Sequence, residues 1–217
     1  MTNNSKPTDT INDWLLADQA RCQEPKAFID GTTSIEHYTS RGFSKIHRLL
    51  FGVERSKLGE YLHAAKADDI RREIDCPDNL GRTPLAWAAE YGLATHVRLL
   101  LAFGADPNQV RRNMHGFSPI LHLAIAGPCS RWMGSAIEDT VFQLLDAGAD
   151  PNMSDHEGWS PLHIAASWST FNATELLENS GRIALNWKTR TIYDESILDV
   201  CDNEGYQRKY RGKLDLP

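Results

Sequence analysis

Between residues 75 and 186 the apolar positions come in short helical bursts, each bounded by turn residues. In the clearest stretch Leu85, Ala88 and Ala89 stand at helical spacing, Gly92 interrupts them, and Val97, Leu100 and Leu101 resume the pattern until Gly104. This predicts two short amphipathic helices in series. The first opens at Thr83-Pro84, where the threonine hydroxyl can cap and the proline needs no amide partner. The second is stopped by Gly104 in the left-handed conformation. Upstream, Asp78-Asn79-Leu80-Gly81 has the composition of a tight reversal. Neither helix can bury its apolar stripe alone, so the pattern calls for neighbours that stack on it.

The chain supplies them. Gly81-Arg82-Thr83-Pro84-Leu85 is followed by Gly116-Phe117-Ser118-Pro119 and by Gly158-Trp159-Ser160-Pro161-Leu162-His163. Each copy runs through small and apolar residues to a leucine pair and a glycine: Leu100-Leu101 and Gly104, Leu144-Leu145 and Gly148, Leu176-Leu177 and Gly181. Two copies close alike, on Gly104-Ala105-Asp106-Pro107-Asn108 and Gly148-Ala149-Asp150-Pro151-Asn152. From turn glycine to stop glycine is 23 residues in the first and third copies and 32 in the middle one, an excess of nine. Most of the excess is expected within residues 127–134, because Ser135-Ala136-Ile137-Glu138 then reads as a capping box opening the next helix. One further residue is expected near Ile120, which puts the first helix of this copy slightly out of register.

These copies resemble the ankyrin repeat, a unit of about 33 residues with a Thr-Pro-Leu-His-x-Ala signature. Two weaker copies flank them: Gly42-Phe43-Ser44-Lys45-Ile46-His47, with Leu58 and Leu62 in its second helix, and Ser196-Ile197-Leu198-Asp199-Val200-Cys201, with Gly205 expected at the end of an inner helix. The resemblance implies an all-α solenoid of helix-turn-helix repeats. The expected organisation is a polar arm over 1–39, a degenerate repeat over 40–74, repeats over 75–108, 109–152 and 153–186, and a degenerate cap over 187–217. In the arm, Ile11, Trp14 and Leu15 line one face of a short helix, and residues 67–77 read as a charged, solvated connection. The style of the copies is similar to ankyrin segments of filamentous fungi.

Composition narrows the function. No run approaches the roughly 20 apolar residues of a membrane span, and the polar start Met1-Thr2-Asn3-Asn4-Ser5-Lys6 is unlike a secretion signal. The expected location is cytoplasmic or nuclear. Cys22, Cys76, Cys129 and Cys201 are too scattered for a zinc knuckle or a disulfide framework, so no metal or other cofactor is expected. A net charge of -6 disfavours nucleic acid as the partner. No nucleophile elbow, phosphate loop or dinucleotide fingerprint occurs, so no catalytic residue is assigned and an enzyme is not expected. His47, His122 and His163 fall on the signature histidine, which the resemblance makes structural, and Ser118 and Ser160 read as helix caps.

The resemblance implies a protein-interaction module that acts as a monomer through its turn tips and concave inner surface. Phe43, Arg82, Phe117 and Trp159 fill the slot after each turn glycine, and Tyr91 and Trp168 both lie ten residues past theirs. These six are candidate contacts, because aromatic and arginine side chains dominate protein interfaces. Trp132, in the insertion, is a seventh. Arg111 and Arg112 complete the set: no acidic residue stands between Asp106 and Glu138, so the middle copy is a positive stretch in an acidic chain. Other roles open to such a stack are to cap or space a larger multidomain protein, or to regulate an enzyme domain elsewhere.

Overall fold

A computed structural model describes residues 41–217 apart from 55, 114–115, 127–133, 169, 180–182 and 215–217. Among the described residues the helices are α1 (Lys45–Leu50), α2 (Leu58–Ala64), α3 (Ala67–Glu73), α4 (Pro84–Glu90) and α5 (Ala94–Ala102), then α6 (Ile120–Ala126), α7 (Gly134–Asp146), α8 (Pro161–Ser167), α9 (Phe171–Asn179) and α10 (Glu204–Leu214). Between α5 and α6 a hairpin pairs β1 (Val110–Asn113) antiparallel with β2 (Gly116–Pro119). Apart from that hairpin the fold is an all-α repeat stack. The expected arm over 1–39, with Ile11, Trp14 and Leu15, lies outside the described residues, as does Trp132.

The helices form two layers. The inner helices α1, α4, α6 and α8 pack on one another in chain order, and the outer helices α5, α7 and α9 do the same. Leu85, Leu121 and Leu162 of the inner layer meet Leu100, Leu144 and Leu177 of the outer layer in one continuous core, all of them inaccessible to solvent. Ala88, Ala89, Ala124, Ala165 and Ala166 are equally buried, and their lack of bulk lets successive inner helices approach closely. Each buried leucine contributes about 2 kcal/mol, and because its neighbours belong to the next repeat, that stabilisation exists only in the stack.

The helix ends follow their local chemistry. Thr83 caps α4 by accepting from the Ala86 amide at 3.1 Å, with Pro84 in the first turn. Ser44 and Ser160 cap α1 and α8, and in both the histidine three residues on completes a capping box. Gly104 and Gly148 follow α5 and α7 at φ +91° and +94°.

Five expectations are corrected. Residues 67–73 are helix α3 and not a loose connection: Ile70 and Ile74 are buried one turn apart, and the acid-first, base-last order of Asp68, Asp69, Arg71 and Arg72 suits the helix dipole. In the middle copy Ser118 is no helix cap, because it sits in β2 opposite Arg111, and α6 starts only at Ile120. That strand absorbs the extra residue, so α6 itself is in register, its third residue His122 matching the third residue His163 of α8. At α7 the helix begins at Gly134, which puts Ser135 inside the first turn rather than at the cap. At the end of the chain the segment from Ile197 to Val200 forms turns instead of an inner helix, and Gly205 lies inside α10, which Asn203 caps by accepting from the Tyr206 amide at 2.9 Å.

Helix α10 docks on α9. Tyr206 and Tyr210 are buried, with the Tyr206 hydroxyl 2.6 Å from that of Thr174 and the Tyr210 ring stacked on Trp187. Lys209 and Lys213 pair with Glu175 and Glu178 at 2.5 and 2.9 Å, so the basic tail is a packed helix and not a free one. No helix among the described residues is long and apolar enough to cross a membrane.

Candidate interaction surface

Three turns share one bonding scheme. The Asp78 amide donates to the Arg82 carbonyl at 2.8 Å, and its carboxylate Oδ1 accepts from the amides of Leu80 and Arg82 at 2.8 and 2.9 Å. Asp155 repeats every bond with Glu157 and Trp159. Thr191 repeats them with its hydroxyl, accepting from the amides of Tyr193 and Glu195 at 3.2 and 3.3 Å. The turn glycine of this last copy is replaced by Asp194, which takes φ +63°. A carboxylate or hydroxyl that accepts twice leaves these turns little freedom, so the two residues after it are held out as a rigid tip.

The tips are tied together. The Asn79 amide donates to the Arg41 carbonyl at 2.8 Å and the Ile192 amide to the Glu157 carbonyl at 2.9 Å. A Cβ on Gly158 would lie 3.1 Å from the backbone of Arg190 and Thr191, so this glycine permits the close approach of the last two turns.

Two further sets of ties hold the repeats in line. The Nε2 atoms of His47 and His122 are each 3.1 Å from a carbonyl of the following copy, of Arg82 and Met153 respectively, and that of His163 is 3.4 Å from the Glu195 carbonyl. At His47 and His163, Nδ1 accepts from the cap residue's amide at 3.2 and 3.1 Å, which leaves the single ring proton on Nε2 to donate forward. Burial lowers His47 and His122 from 6.5 to about 4 and lowers His163 as well. The three rings are neutral struts. At the other edge the Asn108 side chain donates to the Gly148 carbonyl and accepts from the Asp150 amide, at 3.0 and 2.8 Å. Asn152 does the same to Ala184 and Asn186, at 2.8 Å each. The asparagine ties were not foreseen in the sequence, although the shared Asp-Pro-Asn ending of two copies was their signal.

Against this frame the candidate contacts separate. Phe43 is corrected from a surface contact to a core residue: it is only 7% exposed, stacked on Phe51 and edge-on to Trp87. Arg82 is committed inward, 4.2 Å over the Trp87 ring and 2.9 Å from Glu90. Trp87 is buried and donates from Nε1 to Asp78 at 3.1 Å. Tyr91 stacks on it and is half-buried, whereas Trp168, at the matching place, is 47% exposed. Trp159 is half-buried at its tip, its ring tilted against His163. Arg111, Arg112 and Phe117 lie on the hairpin, Arg111 opposite Ser118 and Arg112 opposite Phe117. Their side chains lie outside the described residues.

The open surface changes character along the array. In the first two copies Arg48 pairs with Glu54 at 2.8 Å and Arg82 with Glu90, and Leu80 is exposed at the tip. The later copies carry more exposed apolar groups alongside their charged ones. Leu123 and Ile164 occupy the same partly exposed position of α6 and α8, Trp168 follows α8, and the last tip presents Ile192 and Tyr193 at 65% and 67% exposure. Ile192 and Tyr193 were missed because no family signature marks that turn and its glycine is an aspartate. Among the described residues no cluster of His, Cys, Asp or Glu is arranged to hold a metal. The described part of the surface offers apolar contact and hydrogen bonding.

Comparison with known proteins agrees with this architecture. Residues 80–112 match the family described as ankyrin repeat, and residues 139–178 the one described as ankyrin repeats in many copies. The chain is 31% identical over 150 residues, 69% of its length, to the inactive serine/threonine-protein kinase TEX14 of Bos taurus, of which the match covers 9%. It is 33% identical over 110 residues, 51% of its length, to the B-cell lymphoma 3 protein homolog of Mus musculus, of which 23% is covered. It is 32% identical over 75 residues, 34% of its length, to protein phosphatase 1 regulatory subunit 12A of Rattus norvegicus, of which 7% is covered. The chain thus spans less than a quarter of each of these relatives.

Proposed function

We propose a role that starts from what this chain is, an ankyrin-repeat protein: a non-catalytic adaptor that binds a protein partner through the open inner surface and turn tips of its later repeats. The observation that carries the reading is the exposure of Trp168, Ile192 and Tyr193, large apolar side chains left in solvent in the last two copies, with Leu123, Ile164 and Trp159 half-buried in the same half of the array. Ordering costs reduce affinity, and a tip already fixed by its own hydrogen bonds avoids much of that cost. Among the relatives are a phosphatase regulatory subunit and an inactive kinase, names that fit regulation by contact and not by turnover.

The reading locates binding in the second half of the array. Trp168→Ala is expected to weaken partner affinity by about tenfold or more, as for an interface anchor, while the melting temperature stays within a degree or two. Phe142, exposed on outer helix α7, is the control, and Phe142→Ala is expected to leave affinity unchanged. Titration of each variant against a captured partner checks this; equal affinity of Trp168→Ala and the parent chain would reject the surface. Because the match covers under a quarter of each relative, a second reading is a repeat module that serves other domains of a longer protein.

A further inference from the structure

We infer, resting on the interaction reading above, that the partner meets the last turn as an extended segment of protein: one of its backbone amides donates to the Tyr193 carbonyl, and its apolar side chains lie against Ile192 and Tyr193. Turns of this array already dock on one another through backbone. The Asn79 amide donates to the Arg41 carbonyl and the Ile192 amide to the Glu157 carbonyl. Arg41 and Glu157 stand immediately before the turn glycines Gly42 and Gly158, and Tyr193 stands immediately before Asp194, which replaces the glycine. Thr191 anchors this turn with the bonds that Asp155 makes in the one before, so the Tyr193 carbonyl points onward as the Glu157 carbonyl does. Among the described residues no hydrogen bond reaches it. The Leu80 carbonyl also receives none, but the hairpin follows that turn in the array, whereas no further turn of this kind follows Tyr193 among the described residues.

The backbone of the last turn can only accept. The amides of residues 191–196 all donate within the chain, to the carbonyls of Glu195, Glu157 and Thr191, to the Thr191 hydroxyl and to the Asp199 carboxylate. A partner that covers this edge has to bring donors, because a carbonyl shut away from water needs one. Charge does not choose the partner here. Exposed Lys188 and Arg190 stand with Asp194 and Glu195, Arg190 pairing with Asp194 at 3.5 Å and Glu195 accepting from the Thr191 hydroxyl at 3.1 Å, while Glu157 on the preceding turn faces His156 at 4.0 Å. What remains is backbone and apolar surface, with Ile192 and Tyr193 at 65% and 67% exposure. Asp194 narrows the occupant further. A Cβ on Gly158 would lie 3.1 Å from the backbone of Arg190 and Thr191, so two turns meet this closely over a glycine. Asp194 carries that Cβ, which keeps a further turn, or the turn of a second copy, from seating in the same way. An extended segment that touches Tyr193 and passes clear of residue 194 still fits, with main-chain bonding for affinity and side-chain contact for specificity.

The test selects binders to the full-length chain from a random peptide display library and titrates the tightest, as a synthetic peptide, by fluorescence, alongside versions N-methylated at one backbone amide at a time. Methylation at one amide is expected to lower affinity about tenfold, as for the loss of one hydrogen bond at a covered carbonyl. The Tyr193 carbonyl carbon resonance should move when the parent peptide binds and stay in place with that methylated version. Ile192→Ala/Tyr193→Ala should weaken binding about tenfold, with the melting temperature unchanged because both side chains are in solvent. A Tyr193 carbonyl resonance that stays in place while the parent peptide binds, tolerance of N-methylation at every position, or full affinity in the double variant would each overturn the backbone docking and leave the interaction reading standing through Trp168. A dimer that forms at rising concentration in sedimentation and is abolished by the double variant would overturn it as well, by making the occupant a second copy. No enrichment at all, or binding lost in Phe142→Ala and kept in Trp168→Ala, would overturn both.

Discussion

Acid should destabilise this protein before its carboxylates titrate, because burial makes its histidine struts resist protonation in place. At His47 the ring nitrogen that would take up the proton, Nδ1, already faces the Ser44 amide at 3.2 Å, while Nε2 reaches the Arg82 carbonyl. Burial therefore holds the folded-state value at about 4 for His47 and for His122, against 6.5 for an ordinary histidine. The folded state binds fewer protons than the unfolded state, so the contribution is complete above pH 6.5 and is lost as pH falls from there towards 4. With those values each ring costs about 2 kcal/mol at pH 5, and the pair costs about 4 kcal/mol. That is a large part of the roughly 5–15 kcal/mol that a domain has in total. The lowered value of His163 acts in the same direction. Urea unfolding at pH 7.5, 6.0 and 5.0, values chosen around the ordinary histidine range, should show stability falling at each step with an unchanged slope against denaturant. Imidazole resonances of His47 and His122 that titrate near pH 6 to 6.5 in the folded protein, or stability flat between pH 7.5 and 5.0, would refute the reasoning.

Two substitutions probe the frame directly. Asp194 is the described non-glycine residue at positive φ, so Asp194→Gly should relieve strain and raise stability by about 1 kcal/mol in denaturant titration. Loss of stability there would mean that the aspartate's contacts with Arg190 outweigh its backbone strain. Asn152→Ala removes a donor to the Ala184 carbonyl and an acceptor for the Asn186 amide, and should cost about 2 kcal/mol with earlier hydrogen exchange at Asn186. Unchanged exchange at that amide would show that the tie carries no load.

The parts of the fold legible in the sequence were those fixed by bonds between near neighbours. Thr83 and Ser160 cap helices through atoms three residues away, and Gly104 stops one through its own φ. The hairpin was hidden because Gly116-Phe117-Ser118-Pro119 copies the turn phrase in type while pairing, residue for residue, with Val110–Asn113. Phe43 was misplaced for a nonlocal reason: it occupies the same slot as Trp159, but Trp87 and Phe51 enclose it. At α3 the signal was present, since Ile70 and Ile74 stand four apart, but the charged residues around them concealed it. Of the proposed surface, Trp159 and Trp168 were found by position in the repeat. Ile192 and Tyr193 follow only from recognising that a threonine and an aspartate can rebuild a turn elsewhere made with an aspartate and a glycine.

That substitution at the last turn separates what is kept from what is free to change. Asp78, Asp155 and Thr191 anchor the same bonds, and between anchor and reversal stand Asn79-Leu80, His156-Glu157 and Ile192-Tyr193. In each pair the second residue's amide supplies a bond to the anchor, so the turn itself is held through backbone. Each tip is therefore a two-residue cassette, and exchanging His156-Glu157 for Ile-Tyr should extend the apolar strip while leaving the unfolding midpoint where it was. On the proposed reading, the recognition surface would then be open to rewriting on an unchanged frame.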